Sequence, residues 1–289
     1  MTLPHRVAIR EVGPRDGLQG ERPVAAADRA ALVDALAAAG LTDIEAVAFV
    51  SPRVVPAMAD AGTVLEKVVR RPGVRYWALV PNVRGAELAL AAGVDGLTVT
   101  ASASEAYSRK NVAMSIDESV AEAGRVVALA GRVPVDVVIS CAFGSPFGEN
   151  IAPRAVAVLA ARSLDGGAAE VTLADTTGMA SPRSIDAVLA ETGSDVGLHL
   201  HDTRGTALVN AFAALQRGVN RFDCAVGGLG GSPFAPGAGG NLATEDLVHL
   251  LDDLEVATGV DLAALLAASR LVAGLVGHDV PSRVAHALV

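Results

Sequence analysis

EVTLADTTGMASPRSIDAVLAETGSDVGLHLHD, residues 170–202, holds one complete structural repeat. It opens on a β-branched run, EVTLADT (170–176), and closes on another, VGLHLHD (196–202). Between them lies a stretch with helical spacing that stops at Gly193. Short apolar runs without strict polar alternation read as strands covered on both faces, which is the state of a parallel sheet. A helix between two such strands makes one βα unit.

The same pattern repeats along the chain. Further strand-like runs are VAIREVG (7–13), DIEAVAFV (43–50), VRYWALV (74–80), GLTVTAS (96–102), VDVVISCAF (135–143) and RFDCAVG (221–227). The clearest helix, ADRAALVDALAAAG (27–40), ends on Gly40, and others end at Gly93, Gly131 and Gly218. Glycine there is a helix C-cap signal. Strands recur about every 25–40 residues, the length of a βα unit. Eight strands, each followed by a helical stretch, predict an α/β fold of the (β/α)8 TIM-barrel class. DLAALLAASRLVAGLVG (261–277) adds a C-terminal helix. An open doubly wound sheet is the competing architecture. It lacks support here, because VGPRDG after the first strand is not GxGxxG. With no linker or low-complexity segment, residues 1–289 read as a single domain.

Composition narrows the function. Hydrophobic residues make up 51% of the 289 and aromatics only 3%, so Ala, Val and Leu must build the core. The net charge of −9 argues against nucleic acid as a partner, since phosphate binding needs clustered Lys and Arg. No uncharged apolar run reaches membrane-spanning length, so no membrane partner is expected. The N-terminus reads as free of a signal peptide and the C-terminal HALV as free of a targeting tail. Two cysteines, Cys141 and Cys224, cannot form a disulfide framework, and a cytoplasmic setting is expected.

In such barrels the reactive groups sit at the C-terminal ends of the strands. The unusual polar residues fall there: Arg15 and Asp16 after the first strand, Glu45 in the second, Asp175 after the sixth, His199 and His201 on the seventh, and Asn241 beyond the eighth. Residues i and i+2 of a strand share a face, so the two imidazoles project together. Asp16, His199, His201 and Asn241 form a candidate divalent-metal set. Its mixed oxygen and nitrogen donors suit Mg²⁺ or Mn²⁺, while the imidazoles would also suit Co²⁺ or Zn²⁺. Four protein ligands leave open positions for a chelating substrate. Arg15 is a candidate to stabilise a developing oxyanion. Glu45 either positions Arg15 or transfers a proton. Asp175 is either a general base or a helix N-cap. The stretch 227–240 holds seven glycines, a density that permits close backbone approach to a ligand.

The segments EVGPRDGLQGE (11–21), FVSPRVVPAMAD (49–60), SRKNVAMSIDES (108–119), LHLHDTRGTALVNAFAALQRGV (198–219) and GGLGGSPFAPGAGGNLATEDLV (227–248) resemble the 3-hydroxy-3-methylglutaryl-CoA lyase family of metal-dependent TIM-barrel acyl-CoA lyases. The resemblance runs from about residue 5 to about residue 275. It implies a retro-Claisen cleavage of an acyl-CoA substrate to acetyl-CoA and acetoacetate, the chemistry of leucine degradation and ketone-body formation. It also implies a homodimer. By the same resemblance, Asp16, His199, His201 and Asn241 match the metal ligands, Arg15 the enolate-stabilising arginine, and Glu45 and Asp175 acidic residues of the site. Lys110, Asn111 and Ser115 fall in the segment that resembles the coenzyme A contact region. One departure stands out. Lyases of the family carry a cysteine for proton transfer in the glycine-rich loop, where this chain has Ser232. A hydroxyl is a far weaker acid than a thiol, whose reference pKa is about 8.5. Three expectations follow: a lyase of another 3-hydroxyacyl-CoA, a hydroxymethylglutaryl-CoA lyase of reduced turnover, or a non-catalytic barrel that binds metal and coenzyme A.

Overall fold

The computed structural model describes residues 3–231 and 239–288. Ser232 lies outside the described residues. Eight strands form a closed parallel barrel in sequence order. They are β1 (Ala8–Glu11), β2 (Asp43–Ala48), β3 (Arg75–Leu79), β4 (Gly96–Ser102), β5 (Val135–Ser140), β6 (Glu170–Ala174), β7 (Gly197–His199) and β8 (Arg221–Cys224). The barrel closes where Ala8, Ile9, Arg10 and Glu11 of β1 pair with Arg221, Phe222, Asp223 and Cys224 of β8. Each strand lies inside one of the eight apolar runs. Apart from β4, which fills its run, the strands are shorter than the runs, because the apolar sequence continues past the last ladder bond into the loops that carry the site. The predicted C-terminal helix is Leu262–Val276, N-capped by the Asp261 side chain.

Ala, Val and Leu fill the layer between strands and helices. Small residues such as Ala30, Ala37, Ala86, Ala89, Ala211 and Ala214 are buried there. The bore of the barrel is different. Arg10 ion-pairs with Asp136 and, at 2.6 Å, with Glu170, and its guanidinium lies 3.9 Å over the ring of Trp77. Thr172 donates to Asp136 at 2.7 Å, and the Trp77 indole donates to Asp43 at 2.9 Å. Burial pushes the Asp136 carboxyl up while Arg10 opposes the shift. Trp77 fits because Gly96 faces it. A Cβ at Gly96 would come within 2.4 Å of the indole carbons. Such buried ion pairs contribute little net stability but are costly to break one-sidedly.

On the outer side of β1, Glu11 ties three segments together. One carboxylate oxygen accepts from the backbone N–H of Gly13 at 2.7 Å and of Val226 at 2.8 Å, and the other pairs with the Thr244 hydroxyl at 2.6 Å. Glu245 accepts from the N–H of Gly227 through both oxygens, at 2.9 and 3.0 Å. Burial pushes Glu11 up to about 8 and Glu245 up to about 7, more than their hydrogen bonds lower them. Both acids therefore hold more protons folded than unfolded between their ordinary carboxylate range and these values. Stability then falls as pH rises through that window. Glu11→Gln supplies a permanent donor to Thr244 and keeps the acceptor for both N–H groups. We expect this variant to show a flatter fall in urea-unfolding free energy between about pH 4.5 and 8 than the wild type. A slope identical to wild type would remove Glu11 as a contributor.

Among the described residues, no helix is long and apolar enough to cross a membrane.

Candidate active site

The loop after β1 is a five-residue π-helical turn, Gly13–Gly17. The Val12 carbonyl accepts from the N–H groups of Arg15, Asp16 and Gly17 at 3.1, 2.6 and 3.2 Å. Such wide turns are uncommon and cluster at functional positions. This one places Arg15 and Asp16, both buried, at the rim of the bore. The seventh strand delivers His199 directly, and His201 follows two residues later on the same side. Asn241 arrives by a separate route. Residues 239–243 return across the strand ends: Asn241 bridges His201 antiparallel, and Ala243 bridges Ala225 in parallel. Gly230 permits this approach. Its φ is +107°, and a Cβ there would lie 2.4 Å from the Asn241 amide nitrogen.

The structure brings the four predicted ligands together. Donor atoms of Asp16, His199 and His201 lie within 4.8 Å of one another. The Nε2 atoms of the two imidazoles face each other at 3.2 Å, and Nε2 of His199 is 4.0 Å from Asp16. Asn241 donates to Asp16 at 2.7 Å and to the Leu229 carbonyl at 2.8 Å, which fixes its amide. Its Oδ1 is buried without a partner. Two ring nitrogens at 3.2 Å repel through their lone pairs unless a proton or a cation lies between them. A carboxylate, two imidazoles and an amide oxygen, all buried, are the donor set of a divalent cation, so the residues fit a metal. Burial drives the Asp16 carboxyl up, but Arg15, both imidazoles and Asn241 overcome it and hold the group at about 2. Burial and the neighbouring His199 push His201 down to about 3, so it is neutral and available as a ligand at neutral pH. Burial also disfavours a charged His199, but Asp223 and Asp16 prevail and raise it.

Arg15 bonds through Nε to Glu45 and through a terminal nitrogen to Asp16. Of the two parts open to Glu45 from the sequence, the geometry shows the positioning contact. Gln19 adds a bond to Asp16 at 2.8 Å. Asp175 sits differently. Its Oδ1 accepts from the N–H groups of Met179 and Ala180 at 2.7 and 3.0 Å, bracing the loop before the helix Pro182–Thr192. That helix is capped by Ser181 instead. The other oxygen of Asp175 is buried and unpartnered, and burial pushes the carboxyl up to about 6. Arg204 reinforces the loop through the Thr177 and Gly178 carbonyls, at 2.7 and 2.8 Å.

A cavity of about 520 Å³ opens over the cluster, walled by Arg15, Asp16, His199 and His201 and reaching Lys110 and Asn111. Lys110 lies 5.2 Å over the Phe147 ring. Ser115 is the N-cap of the helix Ile116–Ala130, with its hydroxyl accepting from the Glu118 N–H and its own N–H donating to the Glu118 side chain. The pattern Ser-x-x-Glu at 115–118 is the sequence signal for that role. Both cysteines are buried. Burial pushes the Cys141 thiol up to about 12 and the Cys224 thiol well above its ordinary value. Neither thiol is acidic enough to stand in for a loop cysteine.

Sequence reasoning missed Asp223, which accepts from His199 and lines the cavity. Its signal was a lone carboxylate inside the eighth apolar run, one strand over from the histidines.

The HMGL-like family profile matches residues 6–272. A Pseudomonas aeruginosa protein named 3-hydroxy-3-isohexenylglutaryl-CoA/hydroxy-methylglutaryl-CoA lyase is 45% identical, over 100% of this chain and 99% of its own length. The mitochondrial hydroxymethylglutaryl-CoA lyase of Rattus norvegicus is 44% identical, over 99% of this chain and 90% of that protein. A crystal structure of an HMG-CoA lyase from Acinetobacter baumannii, in complex with coenzyme A and 3-methylmalate, superposes with a TM-score of 0.93. It is 38% identical and covers 99% of this chain and 96% of its own. With a profile match across nearly its whole length and full-length relatives at this identity, the chain belongs to the HMGL-like family.

Proposed function

We propose that this protein is a divalent-metal-dependent carbon–carbon lyase that cleaves 3-hydroxy-3-methylglutaryl-CoA, or a close 3-hydroxyacyl-CoA, to acetyl-CoA and a keto acid such as acetoacetate. The observation that carries the reading is the buried cluster of Asp16, His199, His201 and Asn241 beside Arg15. A divalent metal, Mg²⁺ or Mn²⁺, would be held by those four residues and would supply Lewis acidity to the oxygens of the substrate.

The protein's own groups supply the rest. The C3 hydroxyl passes its proton to a general base, the C2–C3 bond breaks, and its electron pair passes to the thioester as an enolate while C3 becomes a ketone. Arg15 presents a fixed positive charge to that enolate, and Glu45 holds the guanidinium in place. C2 then takes up a proton, so the overall step neither gains nor loses atoms. Lys110 and Asn111, at the far end of the cavity, take the coenzyme A arm. Asp175 acts here by bracing its loop. The two free, buried cysteines fit a cytoplasmic setting. We assign the active form as a homodimer on family grounds.

The test is acetyl-CoA release by the purified protein with Mg²⁺ or Mn²⁺ and with a chelator control. Hydroxymethylglutaryl-CoA is compared with thioesters carrying longer C3 substituents. Chelator-sensitive release from any of them supports the lyase. Silence on all, with metal shown to be bound, favours a non-catalytic barrel. Ser232 shapes a second prediction. A hydroxyl there is a poor proton donor, whereas a well-placed general acid contributes about 10²–10⁴-fold. Ser232→Cys is therefore expected to raise kcat on hydroxymethylglutaryl-CoA at least about tenfold, provided only the acid is lacking. No gain would favour the alternative reading, a different 3-hydroxyacyl-CoA as native substrate.

A further inference from the structure

The residue that ends the bore beneath the cluster has no part in the steps above. Asp223 is on β8, next to β7, and its Cα pairs in register with that of His199. Its carboxylate is 3.3 Å from Nδ1 of His199, and both side chains are buried. The opposite ring nitrogen of His199, Nε2, is the one that faces His201 and Asp16. An imidazole that gives its Nδ1 proton to a carboxylate keeps a lone pair on Nε2. The two ring nitrogens are thus sorted by what each one meets.

Charges from two other strands and one loop face Asp223. Arg10 of β1 and Arg15 of the loop after it act on the carboxylate with favourable charge, and Asp136 of β5 with unfavourable charge. Among the described residues the carboxylate is therefore compensated in the bore without a direct hydrogen bond from either arginine. Its close side-chain partner is His199. A buried carboxylate kept only to balance Arg10 would have no reason to lie at this ring nitrogen.

We infer that Asp223 is a positioning residue: it fixes His199 as the Nδ1–H tautomer and so turns the Nε2 lone pair toward the metal. The inference rests on the metal reading of the cluster, and it adds a fifth residue to that site, one that never touches the ion. Asp223 sets which atom His199 offers. Among the described residues His201 has no such partner at its own Nδ1, which is buried and unbonded. The two histidines are therefore unequal ligands, one oriented by a carboxylate and one oriented by packing alone.

The experiment pairs Asp223→Asn with Asp223→Ala in the full chain. Two quantities are measured: the ring tautomer of His199, by long-range ¹H–¹⁵N correlation without metal, and Mn²⁺ affinity by titration calorimetry. In the wild type, His199 is expected as the Nδ1–H tautomer. In Asp223→Asn the side chain keeps its size, but its amide can donate to Nδ1, so the tautomer shifts toward Nε2–H. Mn²⁺ affinity should then fall about 10–100-fold, the usual effect of losing such an outer partner. Asp223→Ala should weaken Mn²⁺ at least as much. A merely structural part would lower the unfolding midpoint and leave tautomer and affinity alone. If Asp223→Asn keeps both the Nδ1–H tautomer and wild-type affinity, the inference is overturned. If the wild type itself takes up no Mn²⁺, the metal reading fails, and the tautomer comparison still decides the part played by Asp223. Should the alanine variant not fold, the isosteric asparagine variant carries the test.

Discussion

His201→Ala is expected to lower kcat for thioester cleavage by at least about 10³-fold while the barrel stays folded. The argument begins from what His201 touches. Its Nε2 faces His199 at 3.2 Å, and its Nδ1 is buried without a partner. Packing and backbone bridging to Asn241 hold the residue in place, and among the described residues the ring's side-chain contact of hydrogen-bond length is the one to His199. Burial and His199 keep it uncharged at neutral pH, so removing it exposes no buried charge. What is lost is one of the four proposed ligands, and with it several kcal/mol of charge stabilisation at the reacting oxygens, each 1.36 kcal/mol being tenfold in rate. Near-ultraviolet circular dichroism should be unchanged, Mn²⁺ titration should show weak uptake, and acetyl-CoA release should fall below detection. Retained activity with the metal still bound would sink the ligand assignment.

Arg15→Met should combine a catalytic and a structural loss. Removing a fixed donor aimed at a developing oxyanion costs about 10²–10³-fold in kcat, with a smaller effect on KM, because the interaction forms in the transition state. Arg15 also stands between two buried carboxylates, Glu45 and Asp16. Asp16 is held at about 2, below its ordinary value, so it contributes stability above the ordinary carboxylate range that disappears as pH falls toward 2. Against a burial effect that works the other way, Arg15 is the largest of the groups that hold Asp16 down. Without it the stabilisation at neutral pH should drop by about 2 kcal/mol, most visibly in the metal-free protein. Arg15→Lys should recover part of the stability and little of the rate. An ammonium cannot span Glu45 and Asp16 as the planar guanidinium does. Denaturant unfolding at pH 7 and at pH 3 tests the structural part. The wild type and Arg15→Met should differ less at the lower pH. An equal difference at both would remove Asp16 from the account.

The strands were legible because parallel strands are covered on both faces and leave unbroken β-branched runs. The candidate metal cluster was legible as a cluster because HxH on a strand needs no tertiary information to face one way, and Asp16 and Asn241 fall beyond strand ends. Two features were not. The π-helical turn at 13–17 rests on three N–H groups converging on the Val12 carbonyl, and no local pattern marks such a turn. The polar bore was hidden in plain sight. Arg10, Asp136 and Asp223 are charges inside apolar runs, and their meaning depends on which strands lie opposite one another. Barrel closure supplies that information: Arg10 meets Asp136 across 126 residues of sequence. Asp175 shows the reverse case. The sequence left base and cap open, and the structure gives it a loop-bracing bond that is close to the second, although Ser181 is the cap itself.

Trp77, Arg10 and Asp136 fill the bore below the cluster, so the chamber has a floor. A lyase makes two products from one substrate, and among the described residues that floor leaves the opposite end of the chamber as the doorway for both. The nucleotide of coenzyme A is too bulky for the floor and must lie toward that doorway, which puts the keto acid behind it. Departure is then a queue, with the thioester first and the keto acid last. The last product to leave is the one that meets the empty enzyme. The keto acid should therefore compete with substrate, while acetyl-CoA inhibits non-competitively, and product-inhibition kinetics will read the order directly.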